Sequence, residues 1–307
     1  MVYQISSAMS SFCRLTTTQQ AMQTIADAGF DSLDFPLSVY ARGQHAPLQQ
    51  DSWREWVRTV AGFSKALGLP ITQAHCTYEQ TIPEDFHYVA PYEIYARCME
   101  ACHMLGCRQL VFHPMLYMHT IESEQVKQRI HDWNIRWFTE LLPLAERFDL
   151  IISLENTFDS HHLQPAGGLP FIYTRAQDML ALMHGIGSSR VQICLDTGHA
   201  NISGQDIPAM IRAYRGNLAT VHLNDNYGRI SPIYEDLHLF PGYGQIAWAE
   251  VFEALREIRF RAPLNIEPIA QLRTVSPGVR TIQLRAAAQV LRALAAESTA
   301  VAPGCAR

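Results

Sequence analysis

Long apolar runs are absent from this 307-residue chain, which never approaches the roughly 18 successive apolar residues of a bilayer-spanning helix. No membrane partner is expected. The opening MVYQISSAMSS has no basic segment followed by an apolar one, so no secretory signal is read and the expected location is the cytoplasm. Basic clusters are missing too. Net charge is −5, and the lysines and arginines form no stripe that could follow a phosphate backbone, which argues against nucleic acid as a partner. The seven cysteines are odd in number and sit mostly in apolar segments, unlike a secreted disulfide framework. Cys98, Cys102 and Cys107 recur at near-helical spacing in RCMEACHMLGC, read as packed reduced thiols rather than metal ligands. No composition shift or low-complexity stretch marks a linker, so one domain is expected, and a homo-oligomer is compatible with the sequence.

What is present is an alternation of short apolar runs with longer amphipathic segments, the pattern of successive βα units around a parallel sheet. The strands are predicted at 3–8, 31–36, 70–76, 109–113, 150–156, 191–196, 218–224 and 263–268. A helix is predicted after each one, at 17–28, 50–67, 90–105, 122–148, 175–185, 206–215, 248–259 and 279–296. A threonine in TTTQQAMQTIADAG can cap the first helix and Gly29 can end it; ALGLP closes the second in the same way. Eight strands and eight helices in strict order fit a closed (β/α)8 barrel better than an open doubly wound sheet. The fold class is therefore α/β, a single TIM barrel over residues 1–298, with 299–307 as a flexible tail.

Barrel active sites lie at the C-terminal ends of the strands. Six successive predicted strands end in a polar residue there: His75, His113, Glu155, Asp196, His222 and Glu267. Taken singly, each is more often a hydrogen-bonded structural group or a helix cap. Gathered at one mouth, three carboxylates and three imidazoles would lose hydration and repel unless a cation held them, which points to a divalent metal. The donors are hard oxygen and borderline nitrogen, suited to Zn²⁺, Mn²⁺ or Co²⁺ and less well to Mg²⁺.

The motifs SLENT, CLDTGHAN, VHLNDN, DLHLFPGYGQIAW and NIEP, taken as a set, resemble the xylose isomerase-like TIM barrel superfamily, which holds sugar and sugar-phosphate isomerases and epimerases together with AP endonucleases. The resemblance to the ketose 3-epimerase branch implies one metal held by Glu155, Asp196, His222 and Glu267, with zinc or manganese favoured. It also implies that Glu155 and Glu267 are catalytic, exchanging a proton at the carbon beside a polarised carbonyl. Resemblance to the endonuclease branch implies five further ligands, His75, His113, His199, Asp236 and His238, and up to three ions. DLHLFPGYGQIAW departs from the nuclease pattern by carrying Pro-Gly in place of a basic stretch, and QAHCTYEQ lacks a proline expected before the tyrosine. Arg229, His199 and Asp34 are candidate substrate contacts, although Asp34 also suits a helix cap or salt bridge. Phe240, Tyr243 and Trp248 suit a pocket wall or simple packing, and His161 and His162 read as lid or surface residues. The expected function is a metal-dependent isomerase or epimerase of a small sugar, sugar phosphate or related polyol. The alternatives are a zinc phosphodiesterase or AP endonuclease, a sugar lyase or dehydratase, and a sugar-binding protein without catalysis.

Overall fold

The computed structural model describes residues 3–78, 80–158, 169, 172–228, 236–269 and 271–297. Its eight parallel strands are β1 Ile5–Ala8, β2 Ser32–Phe35, β3 Ile71–His75, β4 Gln109–Phe112, β5 Ile151–Glu155, β6 Val191–Asp196, β7 Leu218–His222 and β8 Leu264–Ile266. They close in sequence order, with β8 pairing back onto β1. The predicted barrel is found, and every predicted strand appears, β6 with the predicted bounds and the others trimmed by one to three residues. The trimming is greatest at β8, which loses three residues, and at β7 and β8 residues at the C-terminal end leave the ladder for the mouth.

The described helices are α1 Thr18–Asp27, α2 Leu37–Ala41, α3 Trp53–Leu67, α4 Glu93–Met104, α5 Glu124–Arg147, α6 Ala176–Ile186, α7 Thr197–Ile202, α8 Ile207–Ala213, α9 Trp248–Glu257 and α10 Pro277–Glu297. Eight of these answer the predicted set. The short α2 and α7 are additions directly after β2 and β6, too brief to show a 3.6-residue apolar period. Local chemistry sets the ends as read: Thr17 caps α1 in a reciprocal capping box with Gln20, and Gly68 ends α3 at φ 64°. No helix among the described residues is long and apolar enough to cross a membrane. The six described cysteines are buried and free. The expected tail at 299–307 lies outside the described residues, as do Arg229, His161 and His162.

Side chains alternate along the strands. Ile152 and Leu154 of β5, like Ile193 and Leu195 of β6, join the apolar layer between sheet and helices. The alternate positions carry Ser153, Glu155, Cys194 and Asp196, and the register sets Glu155 beside Cys194 and Asp196 beside His222. The inner face of the barrel is therefore polar and leads straight to its mouth.

Candidate metal centre

His75, Glu155, Asp196 and His222 are the last residues of their strands, while His113 and Glu267 follow β4 and β8 by one residue. The closed ring brings them together. His222 Nδ1 lies 3.2 Å from Glu155 Oε1, 3.1 Å from Glu267 Oε2 and 3.9 Å from Asp196 Oδ2. One donor atom from each of Glu155, Asp196, His222 and Glu267 falls within 4.8 Å of the others. The same spacing joins His75, His113 and Glu155, and again Asp196, His199 and His238. Asp236 completes the predicted nine, its Oδ2 3.0 Å from His238 Nε2 and its Oδ1 3.7 Å from His199 Nε2.

Three of the imidazoles, His75, His199 and His238, are each oriented by a group that can only accept a hydrogen bond, and this sets the tautomer. His75 Nδ1 lies 3.1 Å from Asp34 Oδ1, so Nδ1 carries the hydrogen and Nε2 is left facing Glu267 Oε1 at 3.2 Å and Glu155 Oε2 at 3.6 Å. His199 Nδ1 donates to the Asn156 carbonyl at 2.7 Å, turning Nε2 toward Asp236. His238 Nδ1 donates to the Glu267 carbonyl at 3.2 Å. Such outward hydrogen bonds are the usual means of aiming metal-binding histidines.

Asparagines brace the carboxylates. Asn224 Nδ2 donates to Asp196 Oδ2 at 2.6 Å and to Glu267 Oε2 at 3.0 Å, while its Oδ1 accepts from Glu267 N at 3.0 Å. Asn156 bridges to the Asp196 backbone in both directions, at 2.8 and 3.1 Å. Asp196 Oδ1 also accepts the His199 N–H at 2.8 Å, capping α7 and placing His199 on its first turn.

Burial favours neutral Glu155, but His113 and His222 outweigh it and hold the carboxyl well below its ordinary range. Glu267 is lowered in the same way, by His222 and His75. Burial opposes charge on His75, His199 and His222, yet the neighbouring carboxylates, joined at His222 by Cys194, raise all three well above the usual imidazole value. His113 goes the other way, lowered chiefly by burial.

Whether this set suits a metal is tested by what it leaves unmatched. Glu155 Oε2 is buried without a hydrogen-bond partner, although a carboxylate oxygen in such a place normally has one. It faces His75 Nε2 and His113 Nε2 at 3.6 and 3.4 Å, beyond good hydrogen bonds but suited to sharing a cation. The donor chemistry fits a divalent ion. Above it opens a cavity of about 1200 Å³, lined by Glu155, Glu267, His75, His113, His199 and His238 among others.

A closed (β/α)8 barrel with a braced carboxylate–imidazole cluster beneath its mouth defines a class of protein built to hold a divalent ion and a small polar molecule together. The chain belongs to the xylose isomerase-like TIM barrel family, which matches residues 22–294. It is 28% identical over 168 residues to the D-psicose 3-epimerase of Enterocloster bolteae, covering 54% of this chain and 48% of that protein. It is 25% identical over 170 residues to the inosose isomerase of Bacillus velezensis, covering 55% and 56%. The chain thus spans about half the length of these curated relatives. Among solved structures it is similar to the IOLI protein with a bound zinc atom, at a TM-score of 0.71 and 16% identity over 97% of this chain and 100% of that one. It is also similar to the 3-keto-D-glucoside 4-epimerase of E. coli, at a TM-score of 0.69 and 18% identity over 95% and 99%. At these identities the structural likeness is one of fold.

Burial separates the two readings that the sequence left for Asp34 and for the three aromatics. Asp34 is fully buried below His75, where its carboxylate accepts from Gln73 Nε2 at 2.9 Å and Asn265 Nδ2 at 3.0 Å; it does not line the cavity. Phe240 and Trp248 are packed in the core and Tyr243 is exposed, and none of the three lines the mouth. The bracing residues Asn156 and Asn224 were missed as functional positions. Both lie inside the motifs SLENT and VHLNDN, where adjacency to a ligand was the available signal.

Proposed function

We propose that this chain is a divalent-metal-dependent isomerase or epimerase of a small sugar, sugar phosphate or related polyol, with zinc or manganese as the ion. One observation carries the reading: Glu155 and Glu267 enter the same cavity from β5 and the end of β8, and both reach His222 Nδ1, at 3.2 and 3.1 Å. Glu155, Asp196, His222 and Glu267 would hold the ion, with His75, His113, His199, Asp236 and His238 available for further ions or for substrate. A bound divalent ion supplies Lewis acidity that polarises a carbonyl and acidifies the neighbouring C–H.

The chain's own residues do the rest. Glu155 and Glu267, whose carboxylates both line the cavity, can each accept a proton from carbon. Approaching from different strands, one removes a proton from one face and the other delivers to the opposite face, which inverts the carbon. Asn224 holds Glu267 and Asp196 in fixed relation, so the delivering group cannot drift. Asp34 fixes the His75 ring from below, and we assign it this orienting role.

The test is proton exchange. Ketoses and their phosphates incubated with metal-loaded protein in heavy water should acquire deuterium beside the carbonyl. Glu155→Gln or Glu267→Gln should each lower exchange at least about 10²-fold, the lower range for general acid–base catalysis. Absence of exchange across a broad sugar panel, together with metal-dependent cutting of an abasic DNA duplex, would replace this reading with a nuclease.

A further inference from the structure

The cavity is larger than its floor requires. Its volume of about 1200 Å³ exceeds the ~300–1,000 Å³ typical of pockets for drug-sized ligands, and a single sugar ring is smaller still. Its outer part also has a distinct surface. Nine large hydrophobic side chains are exposed among the described residues, and four of them, Leu15, Tyr78, Leu116 and Met118, line this one cavity. They follow β1, β3 and β4, so they form one side of the mouth. Apolar side chains concentrated in this way mark a binding surface.

The charged groups among them share one sign. Arg14, Arg42 and Arg273 line the same region, whereas the acidic residues of the described lining, Glu155, Asp236 and Glu267, all belong to the metal floor. Tyr78 links the two zones: its ring meets His113 edge-on at 5.5 Å between centroids, and the Arg42 guanidinium lies over it at 4.7 Å. A chamber with apolar walls and guanidinium donors suits a ring that presents C–H faces to the walls and hydroxyl oxygens to the arginines.

We infer that this outer chamber is a second substrate subsite, and that the substrate is a keto-sugar carrying a second ring through a glycosidic bond. The inference rests on the proposed reaction for its inner half, and on the chamber alone for its outer half. The occupant is part of the substrate rather than another chain because the apolar wall is concave and continuous with the floor that holds Glu155 and Glu267.

Three probes test it in heavy water with metal-loaded protein: a free ketohexose, a glucosyl-ketohexose disaccharide with its carbonyl free, and an aryl 3-ketoglucoside. At least one ring-bearing probe should exchange with kcat/KM about tenfold or more above the free ketohexose, and which one does so separates a sugar from an aryl second ring. The double variant Leu15→Ser with Met118→Ser changes side chains that are 60% and 55% exposed, so the barrel should tolerate it. It should raise KM for the preferred probe and narrow that tenfold advantage to about twofold or less. Equal or better exchange of the free ketohexose, with no differential effect of the double variant, overturns the subsite. Binding of phenyl glucoside, followed by ligand-observed NMR, separates the two halves. If no probe exchanges but phenyl glucoside binds and the double variant weakens it, the reaction is wrong and the subsite stands. If phenyl glucoside does not bind, or the double variant abolishes self-association and leaves sugar binding unaltered, the subsite falls.

Discussion

Asp225 offers the sharpest test of how the mouth is held in shape. It is fully buried in the segment after β7, and five N–H groups converge on its carboxylate. Oδ2 accepts from Gly242 N at 2.9 Å, Gly244 N at 3.0 Å and Trp248 Nε1 at 2.9 Å. Oδ1 accepts from Asn226 N at 2.9 Å and Ile246 N at 3.2 Å. Backbone bonds at 2.9 Å in both directions tie Asp225 to Leu239, next to His238 in sequence. One carboxylate therefore fastens the strap that leads from Asp236 and His238 to α9.

Asp225→Asn keeps the shape and replaces one oxygen with NH₂. Whichever way the amide turns, at least two of the five N–H groups face a donor. Each unsatisfied buried donor costs ~1–3 kcal/mol, so the loss is about 2–6 kcal/mol. Against a total stability of roughly 5–15 kcal/mol this is large. At about 2 °C per kcal/mol for a large domain, Tm should fall by roughly 4–12 °C. Gly244→Ala probes the same contact without touching charge, since a Cβ there would lie 2.2 Å from Asp225 Oδ1 and 2.3 Å from the Asn226 carbonyl. Thermal melts by circular dichroism, with hydrogen exchange on peptides covering residues 236–248, read both variants. A Tm change below about 1 °C, with unaltered exchange in that segment, would refute the reasoning.

Three other outcomes follow from the site. His222→Ala should lower metal affinity at least about 100-fold while circular dichroism keeps the barrel signature; full metal content by elemental analysis counts against the assignment. The overlapping ligand groups predict two or three zinc ions per chain under replete conditions, and a reproducible value of one would return His75, His113, His199, Asp236 and His238 to supporting roles. Burial opposes charge on His238, but Asp236 outweighs it and raises its pKa to about 9 in the metal-free protein, so an entering ion must displace protons. Affinity should therefore rise with pH up to about 9, roughly tenfold per unit for each proton displaced, and calorimetry in two buffers should detect the release. With the same sign, this imidazole's contribution to metal-free stability is complete below about 6.5, its ordinary value, and lost as pH rises through about 9.

The parts of the molecule legible in the sequence are those written by period or by adjacency. Strand positions follow from short apolar runs, and the predicted strand-end residues gather in one cluster because a closed ring brings the C-terminal ends together and their register turns these side chains inward. Bonds between distant residues left no such trace. Asn224 braces Glu267 from 43 residues away, and Asp225 holds Trp248 from 23 residues away. No local pattern separates such residues from loop asparagine and aspartate, which turns also favour. Helix α7 escaped because TGHANI is shorter than two turns, although its start is fixed by the side chain of Asp196, for which a helix cap is one of the readings.

Asp34 shows why the deeper network matters to the chemistry. Serines at positions 6 and 32 and Asn265 follow the same inward register, and Asp34, Gln73 and His222 lie in mutual reach across the barrel. A lumen of this composition contributes little apolar burial, so the barrel's stability must come from the other face of the same strands. There Leu33, Phe35, Ile152, Leu154, Ile193, Leu195 and Val221 pack under the helices. Because those two faces alternate residue by residue, the inner one can carry charge without disturbing the core. Removing Asp34 should therefore act on His75 rather than on the fold at large: Asp34→Asn keeps the volume but can present an amide donor to Nδ1, freeing the ring to adopt the other tautomer. Metal-loaded Asp34→Asn should show a 10–100-fold loss in exchange rate or metal affinity, the range for such outer partners, with little change in Tm. A large fall in Tm with unchanged metal affinity would mean that Asp34 supports the barrel and not the site.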